Sequence, residues 1–183
     1  MLPQALQDRL ASLPQLDLAA LNALHASGEQ VTSIRRNLFK QPEAYSFSFD
    51  APVPWCAHAA YLPERPFFTF DPLLHAGAYY VQDASSMCIW TALMQVVKET
   101  KGLKVLDLCA APGGKTTLLA DYFHDGVLVA NEVIRSRAAI LVENITKWGA
   151  GHVIVTNNDP ADFTSLENYF DVMLVDAPCS GSG

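Results

Sequence analysis

A turn built of small residues is the part of this chain whose residue types best suit ligand binding. It follows an apolar run at 104–108, typical of a buried parallel strand, and precedes a predicted helix at 115–123. Small residues let the backbone approach a ligand closely, and the start of the helix offers unpaired N–H groups. The pattern therefore predicts a nucleotide or cofactor site. The turn consists of Cys109, Ala110, Ala111, Pro112, Gly113, Gly114 and Lys115.

Two common phosphate-binding turns do not match this segment. A P-loop has a second glycine five residues before its Gly-Lys pair, and no glycine stands at that distance before Gly114. The glycine spacing of a dinucleotide-binding turn is also absent. The sequence therefore disfavours a P-loop protein and a nucleotide-dependent oxidoreductase.

Strands and helices alternate regularly from residue 104 onward. Further strands are predicted at 126–130, 152–156 and 171–175, and further helices at 136–148 and 164–169. This alternation predicts a parallel sheet with right-handed crossovers, whose ligands bind beyond the carboxyl ends of the strands. Four residues that could do chemistry follow these strands: Glu132, Asp159, Asp176 and Cys179.

The segments before residue 104 have less regular patterns. Two short helices are predicted within 2–26, with Asp17 as the N-cap of the second and Gly28 as its stop. A longer helix is predicted at 84–99, with Asp83 as its N-cap. These helices are expected to pack against the rest of the protein.

A strand with two adjacent arginines is predicted at 31–38. Arg35 and Arg36 are expected on a solvated edge. An alternating run of aromatic residues then predicts one face of another strand, buried in the core rather than stacked on bases. Its members are Phe39, Tyr45, Phe47 and Phe49.

Composition limits the classes of protein that this sequence can represent. Of the 183 residues, 50% are hydrophobic and 17% are charged, which predicts a sizeable buried core. The net charge of −7 disfavours a broadly basic surface, so a nucleic-acid partner would need a local basic patch or another part of the protein. Because there is no bilayer-spanning apolar run and no secretory signal, we expect a soluble cytoplasmic protein with no membrane partner.

The four cysteines do not show the spacing of metal ligands. They form no C-x-x-C pair, and Cys56, His58 and His75 lack the further ligands that a zinc site needs. We therefore expect no metal and no disulfide framework, with reduced thiols as in a cytosolic protein.

Several motifs of this sequence together resemble one protein family. LDLCAAPGGKT at 106–116 resembles the S-adenosylmethionine-binding motif of the Nop/Sun family of RNA (cytosine-5)-methyltransferases. The segments VPWC at 53–56 and FDPLLHAGAYYVQDASSM at 70–87 are most similar to the bacterial enzymes that modify 16S ribosomal RNA. The resemblance also implies that the segment with Arg35 and Arg36 faces RNA or steadies the cofactor domain, as the alternative to a solvated edge. The other matching segments are SIRRN at 33–37, GAYYVQDASSM at 77–87, NEVIRSR at 131–137, NNDP at 157–160 and DAPCSGSG at 176–183.

The resemblance implies an α/β fold and an enzymatic activity. The expected fold is the Rossmann-like sheet of a class I S-adenosylmethionine-dependent methyltransferase, with its first four strands in this chain. A small α+β domain at 1–75 would precede a methyltransferase domain at 76–183. The implied reaction is methylation of cytosine C5 in RNA, with 16S rRNA as the expected substrate. Transfer RNA is the alternative substrate, and a non-catalytic cofactor-binding module for RNA assembly is the alternative class.

The resemblance also implies roles for the residues around the turn. The turn from Cys109 to Lys115 would hold the amino acid part of S-adenosylmethionine, with Lys115 pairing with its carboxylate. Glu132 would accept both ribose hydroxyls, with Arg137 either bracing it or lying on the surface. Asp159 would accept a hydrogen bond from the adenine amino group, or simply begin an Asp-Pro turn. Asp176 would lie beside the cofactor and the target base.

Cys179 matches the family cysteine that helps to release the methylated product, and a thiol at a strand end can act as a nucleophile or a base. The attacking cysteine of the family lies in a later TCS motif, and the sequence stops at Gly183 before it. We therefore expect this chain to be part of a longer enzyme and to be inactive alone. The last predicted strand is then expected to have an unpaired apolar edge that favours self-association.

Overall fold

The computed structural model describes residues 2–177, so the prediction for Cys179 lies outside the described part. The residues up to Val31 form one compact unit, and the chain from Thr32 onward forms a second.

Two short helices make up the first unit. Helix α1 spans Gln4–Leu10 and helix α2 spans Leu18–Ser27. Asp17 caps α2 by accepting a hydrogen bond from the backbone N–H of Ala20 at 2.9 Å, and Gly28 ends the helix in the left-handed conformation. The predicted cap and stop are therefore confirmed.

The first sheet of the second unit is antiparallel and has the order β2-β3-β1-β4. Its strands are β1 (Thr32–Arg36), β2 (Pro52–Val53), β3 (Cys56–Leu62) and β4 (Tyr79–Val81), with the short helix α3 (Pro72–His75) before β4. The predicted strand at 31–38 is confirmed as β1. The expectation of a solvated edge is wrong for Arg35, because β1 lies between two strands and Arg35 is 0% exposed.

The aromatic run does not form the predicted strand. Residues 37–51 contain no strand, and the rings of Tyr45, Phe47 and Phe49 form an edge-to-face cluster instead. Phe39 lies apart from this cluster and is 67% exposed. The Phe47 ring lies perpendicular to that of Tyr79, with 5.2 Å between centroids. Aromatic packing of this kind brings rings together without a strand ladder. The expected core role is confirmed for Tyr45 and Phe47, which pack against a buried cluster, and is wrong for Phe39 and Phe49, which are exposed.

The second sheet is parallel and has the order β7-β6-β5-β8. Its strands are β5 (Lys104–Asp107), β6 (Val127–Asn131), β7 (Val153–Thr156) and β8 (Val172–Leu174). Helix α5 (Gly114–Tyr122) connects β5 to β6, and α6 (Arg135–Trp148) connects β6 to β7. The predicted α/β fold is confirmed, and the direction of strand order reverses at β5, where open α/β sheets bind ligands.

Two helix predictions need correction. The predicted helix at 164–169 is wrong, because a 3₁₀ helix at Pro160–Ser165 ends near its start and residues 166–169 are not helical. Asp159 and Asp162 form a capping box at its start, and Pro160 favours the first helical position, so the turn begins early. The helix predicted at 84–99 is a 3₁₀ turn followed by α4 (Ile89–Val96), and Asp83 makes no side-chain cap.

Helix α5 lies at the centre of the hydrophobic core. Its residues Thr116 to Asp121 are all buried, which is typical of a helix packed on every side. The core cluster around it includes residues of both sheets, so α5 joins them. Its buried members are Val53, Cys56, Ala59, Met87, Leu93, Val105, Leu118, Leu119, Ala120, Phe123 and Leu128.

The loop after β1 caps the C-terminus of α6. Asn37 Nδ2 donates to the carbonyl oxygens of Gly77 and Trp148, each at 2.9 Å. Lys40 Nζ donates to the carbonyl oxygen of Lys147 at 2.6 Å. The last carbonyls of a helix have no partner within the helix, so these donors stabilise α6 and attach the first sheet to it.

Within the described residues, no helix has both the length and the apolar character that a membrane crossing requires.

Candidate cofactor site

The small-residue turn lies between β5 and α5, as the sequence predicts, and α6 holds it in place. The carbonyl oxygen of Ala111 accepts from Arg137 Nη2 at 2.7 Å. The carbonyl oxygen of Pro112 accepts from Asn144 Nδ2 at 2.7 Å. The N–H of Ala110 donates to the carbonyl oxygen of Asn131 at 2.8 Å. Each bond fixes the turn backbone against the next strand or helix.

The glycines of the turn are needed for packing as well as for conformation. Gly113 has φ +113°, and a Cβ atom there would lie 3.2 Å from Cδ1 of Leu141. A Cβ atom at Gly114 would lie 3.3 Å from Nε2 of Gln82. The sequence prediction ascribed the glycines to close approach of a ligand, whereas the structure also shows close approach of α6 and of the residue after β4.

Asp107 is a site residue that the sequence analysis did not identify. It ends β5 and is 1% exposed. Its Oδ2 accepts from the Thr116 hydroxyl at 2.7 Å, and the backbone N–H of Cys109 lies near the carboxyl group. Among the described residues, no donor reaches the buried Oδ1 with hydrogen-bond geometry. Burial raises the pKa of Asp107 to about 6, and the neighbouring Asp176 carboxylate adds to this shift. A carboxyl group at a strand end directly before the turn was the available signal.

A buried acceptor without a partner costs roughly 1–3 kcal/mol, so its persistence in a folded site favours a ligand that donates a hydrogen bond. The Oδ1 atom of Asp107 therefore fits a site for a polar donor, such as an amine or ammonium group.

Glu132 follows β6, and its carboxylate is fixed by two donors. Oε1 accepts from the backbone N–H of Ile134 at 2.9 Å, and Arg137 Nη1 lies 3.4 Å from Oε2. Of the two alternatives left open for Arg137, the structure confirms the brace. The Glu132 side chain is only 3% exposed, so a carboxylate is held at this strand end in one orientation.

Asn131 joins the carboxyl ends of three strands, a role that the sequence analysis missed. Its Nδ2 donates to the carbonyl oxygens of Leu108 and Asn158, at 3.3 and 3.0 Å. Its Oδ1 accepts from the Thr156 hydroxyl at 2.9 Å and from the N–H of Asn158 at 3.0 Å. All four bonding positions of the buried amide are used, so the strand ends stay in register around Glu132.

Lys115 and Asp176 form an ion pair across the turn and the end of β8. The side chains are 24% and 55% exposed, so water screens the pair. The prediction for Lys115 was a pairing with a ligand carboxylate. The structure shows that a carboxylate partner from the protein reaches the same ammonium group.

The strand-end acids lie close enough together to affect one another. Burial, followed by the charges of Asp107, Glu132 and Asp176, raises the pKa of the Cys109 thiol. Three carboxyl groups around one turn, offset by Lys115 and the Arg137 brace, make a site that favours a positively charged ligand.

Asp159 has a local role in the structure. Its side chain accepts from the N–H of Ala161 at 2.9 Å and caps the 3₁₀ helix that begins at Pro160. It is exposed, so its contact with an adenine amino group stays a prediction. Among residues 2–177, no group of three or more His, Cys, Asp or Glu side chains could hold a metal ion.

Two family models match this chain and together account for most of it. One is described as 16S rRNA methyltransferase RsmB/F and matches residues 94–183. The other is described as the N-terminal domain of 16S rRNA methyltransferase RsmF and matches residues 2–84. The chain belongs to the Nop/Sun family of methyltransferases. The family resemblance predicted from the motifs is thus confirmed.

Curated relatives of this Nop/Sun chain carry the same family description. The ribosomal RNA small subunit methyltransferase F of Shewanella sp. (strain W3-18-1) is 39% identical over 78% of this chain and 30% of its own length. The protein of that description from Enterobacter sp. (strain 638) is 40% identical over 72% of this chain and 28% of its own. The chain therefore spans about a third of the length of these relatives.

Solved structures agree with the fold of this Nop/Sun chain. A methyltransferase homologue from Pyrococcus horikoshii superposes with a TM-score of 0.73, at 30% identity over 100% of this chain and 65% of the other. NSun6 from the same organism superposes with a TM-score of 0.74 over 97% of this chain and 71% of its own, and at 15% identity this similarity shows the fold alone.

Proposed function

We propose that this chain holds the cofactor site of an enzyme that methylates cytosine C5 in 16S rRNA with S-adenosylmethionine. The observation that carries the proposal is the buried, unpartnered Oδ1 of Asp107 beside the turn and Glu132, at the point where the strand order reverses. Relatives named ribosomal RNA small subunit methyltransferase F, together with the matching 16S rRNA methyltransferase family model, support the choice of substrate.

The residues present fit S-adenosylmethionine, which is positively charged and supplies a methyl group to an electron-rich carbon. Its ammonium group would donate to Asp107 Oδ1, an acceptor without a hydrogen-bond partner within residues 2–177. Its ribose hydroxyls would donate to Glu132, which Arg137 and the N–H of Ile134 hold in orientation. Lys115 would exchange its pairing with Asp176 for the ligand carboxylate.

The acids and the thiol have separate proposed tasks in the reaction. Asp176 would orient the target base beside the cofactor, since it lies at the end of β8 next to the turn. Cys179 would help to release the product, an assignment that rests on the family motif alone. Asp159 would contact the adenine.

Three further features belong to the proposal. The division of the chain into an RNA-contacting part at 1–75 and a cofactor-binding part at 76–183 follows the family pattern, as does a cytoplasmic location. Self-association through β8 is supported because, within the described residues, β8 pairs only with β5. Met173 and Val175 are more than half exposed there. Sedimentation velocity at increasing protein concentration tests this self-association. A chain that stays monomeric at every concentration contradicts it.

The cofactor assignment is tested by calorimetric titration with S-adenosylhomocysteine. Glu132→Ala should weaken binding at least tenfold, about 1.4 kcal/mol, because it removes the fixed strand-end carboxylate. Glu143→Ala is the matched control, since Glu143 is an exposed carboxylate on α6 that pairs only with Lys147 among the described residues, and it should leave affinity within twofold. A folded wild type that does not bind, or equal losses in both variants, contradicts the assignment.

The substrate assignment needs a separate measurement. Fluorescence anisotropy with a 16S rRNA fragment and with transfer RNA, across a salt series, compares the two substrates directly. Tighter binding of the 16S fragment is expected, and a preference for transfer RNA contradicts the proposal.

A further inference from the structure

The SIRRN segment has no task in the proposed reaction, yet it contains the most deeply buried charge in the described chain. Arg35 lies in β1, and Asn37 lies in the loop directly after it. Their exposed fractions are 0% and 1%. Asn37 bonds to the end of α6, as described above, and Arg35 bonds to α5.

The Arg35 guanidinium reaches three residues of α5. Nη1 lies 2.5 Å from Oδ2 of Asp121, and Nη2 lies 2.5 Å from the Thr117 hydroxyl. Nη2 also lies 3.3 Å from the carbonyl oxygen of Gly114, the first residue of the helix. These positions are spaced at three and four residues, so they form one face of α5 that is directed toward the first sheet.

Two further groups fix the orientation of the guanidinium. Arg35 Nε donates to Oε1 of Gln82 at 3.2 Å. The guanidinium carbon lies 4.6 Å from the centroid of the Trp148 ring, whose Nε1 donates to the other oxygen of Asp121 at 2.8 Å. The planar fork of an arginine is thus held on its edges and on one face, which a lysine cannot reproduce.

The first turn of α5 needs such an external support. Gly113 precedes the helix and has no side chain to cap it. Arg35 holds this turn at a different group, the carbonyl oxygen of Gly114, which also accepts from the Thr117 hydroxyl at 3.1 Å. Because the small-residue turn runs directly into this first turn, its position depends on where the first turn is held.

We infer that Arg35 is a positioning residue of the cofactor site, which fixes the first turn of α5 from the first sheet. The inference rests on the proposed function for the identity of the ligand. The first sheet is therefore a structural part of the cofactor site as well as a separate layer. Substitution of Arg35 should loosen the first turn and weaken cofactor binding. The effect should be larger than that of a substitution elsewhere that lowers the stability of the protein equally.

The test compares Arg35→Met and Arg35→Lys with Lys40→Met in the full chain. Lys40 also joins the loop after β1 to the second part of the fold, but it bonds to the end of α6 and not to α5. Hydrogen exchange, followed at the amide of Thr117, measures the first turn of α5 without any ligand. Titration with S-adenosylhomocysteine measures the site at matched fractions of folded protein.

Arg35→Met should speed exchange at Thr117 at least tenfold relative to Lys40→Met and weaken S-adenosylhomocysteine binding at least tenfold. Arg35→Lys should fold like the wild type, and its exchange rate and affinity should fall between those of Arg35→Met and Lys40→Met. This variant provides a readout if Arg35→Met does not fold. Exchange at Thr117 that is equal in all variants overturns the inference. A wild type that fails to bind S-adenosylhomocysteine contradicts the proposed function, while the exchange comparison still decides the role of Arg35.

Discussion

The close approach of Gly77 to the end of α6 gives the sharpest prediction about how the first sheet is attached. Gly77 is buried and has φ +70°. A Cβ atom there would lie 1.9 Å from the carbonyl oxygen of Lys147 and 2.5 Å from its carbonyl carbon. Both atoms are backbone, so no side-chain rotation can relieve the overlap.

Gly77→Ala therefore carries two costs that can be separated. The left-handed conformation costs a non-glycine residue roughly 1–2 kcal/mol. Overpacking adds about 1–3 kcal/mol. Gly102→Ala is the matched control, because Gly102 has φ +72° in the same unit but an added Cβ atom meets nothing within 4 Å. We expect a total loss of about 2–5 kcal/mol for Gly77→Ala and roughly 1–2 kcal/mol for Gly102→Ala.

Urea denaturation of both variants and the wild type measures this difference from the midpoints at a common slope. Thermal midpoints should differ between the variants by about 2–12 °C, at roughly 2–4 °C per kcal/mol for a chain of this size. Equal losses in the two variants, within about 0.5 kcal/mol, would show that the contact of Gly77 with α6 has no energetic role, and the reasoning would be refuted.

Three other perturbations follow from the buried groups. Because the folded-state pKa of Asp107 is raised to about 6 from the ordinary 3.8, its contribution to stability is lost as pH rises from about 4 to about 6. Asp107→Asn should remove about 3 kcal/mol of that pH dependence in urea titrations, and an unchanged pH profile contradicts the pKa shift. Asp121→Ala should cost about 3–5 kcal/mol in the same assay by leaving Arg35 buried without its partner, and a loss below about 1 kcal/mol contradicts this. In folded protein, iodoacetamide should modify the exposed Cys88 and spare the buried Cys56 until urea unfolds the chain, as mass spectrometry of peptides can show. Early modification of Cys56 would contradict its burial.

The sequence was sufficient to predict those elements whose structure follows from the residues nearest to them in the chain. The four parallel strands and the turn before α5 were predictable, because each strand is a local apolar run and the turn is a local run of small residues. The Asp159–Asp162 capping box was also readable from the sequence, and neglect of it led to the wrong helix at 164–169.

Other features depend on residues that are distant in sequence. Nothing near Arg35 shows that it will be buried, because its ion-pair partner is 86 residues further along the chain. Adjacent arginines usually lie in solvent, so the prediction followed the common case. The unpaired oxygen of Asp107 likewise depends on how β8 and α5 surround it, which no local pattern reveals.

The distance along the chain between Arg35 and its partner has a consequence for synthesis on the ribosome. Strand β1 leaves the ribosome well before α5 exists, since 86 residues separate Arg35 from Asp121. At about 5–20 residues per second, the interval is roughly 4–17 seconds. A bare guanidinium cannot be buried without its carboxylate, so the nascent first sheet must keep this face hydrated during that time. The first sheet can therefore complete its packing only after α5 has been synthesised. The sheet and the helix then reach their final packing together.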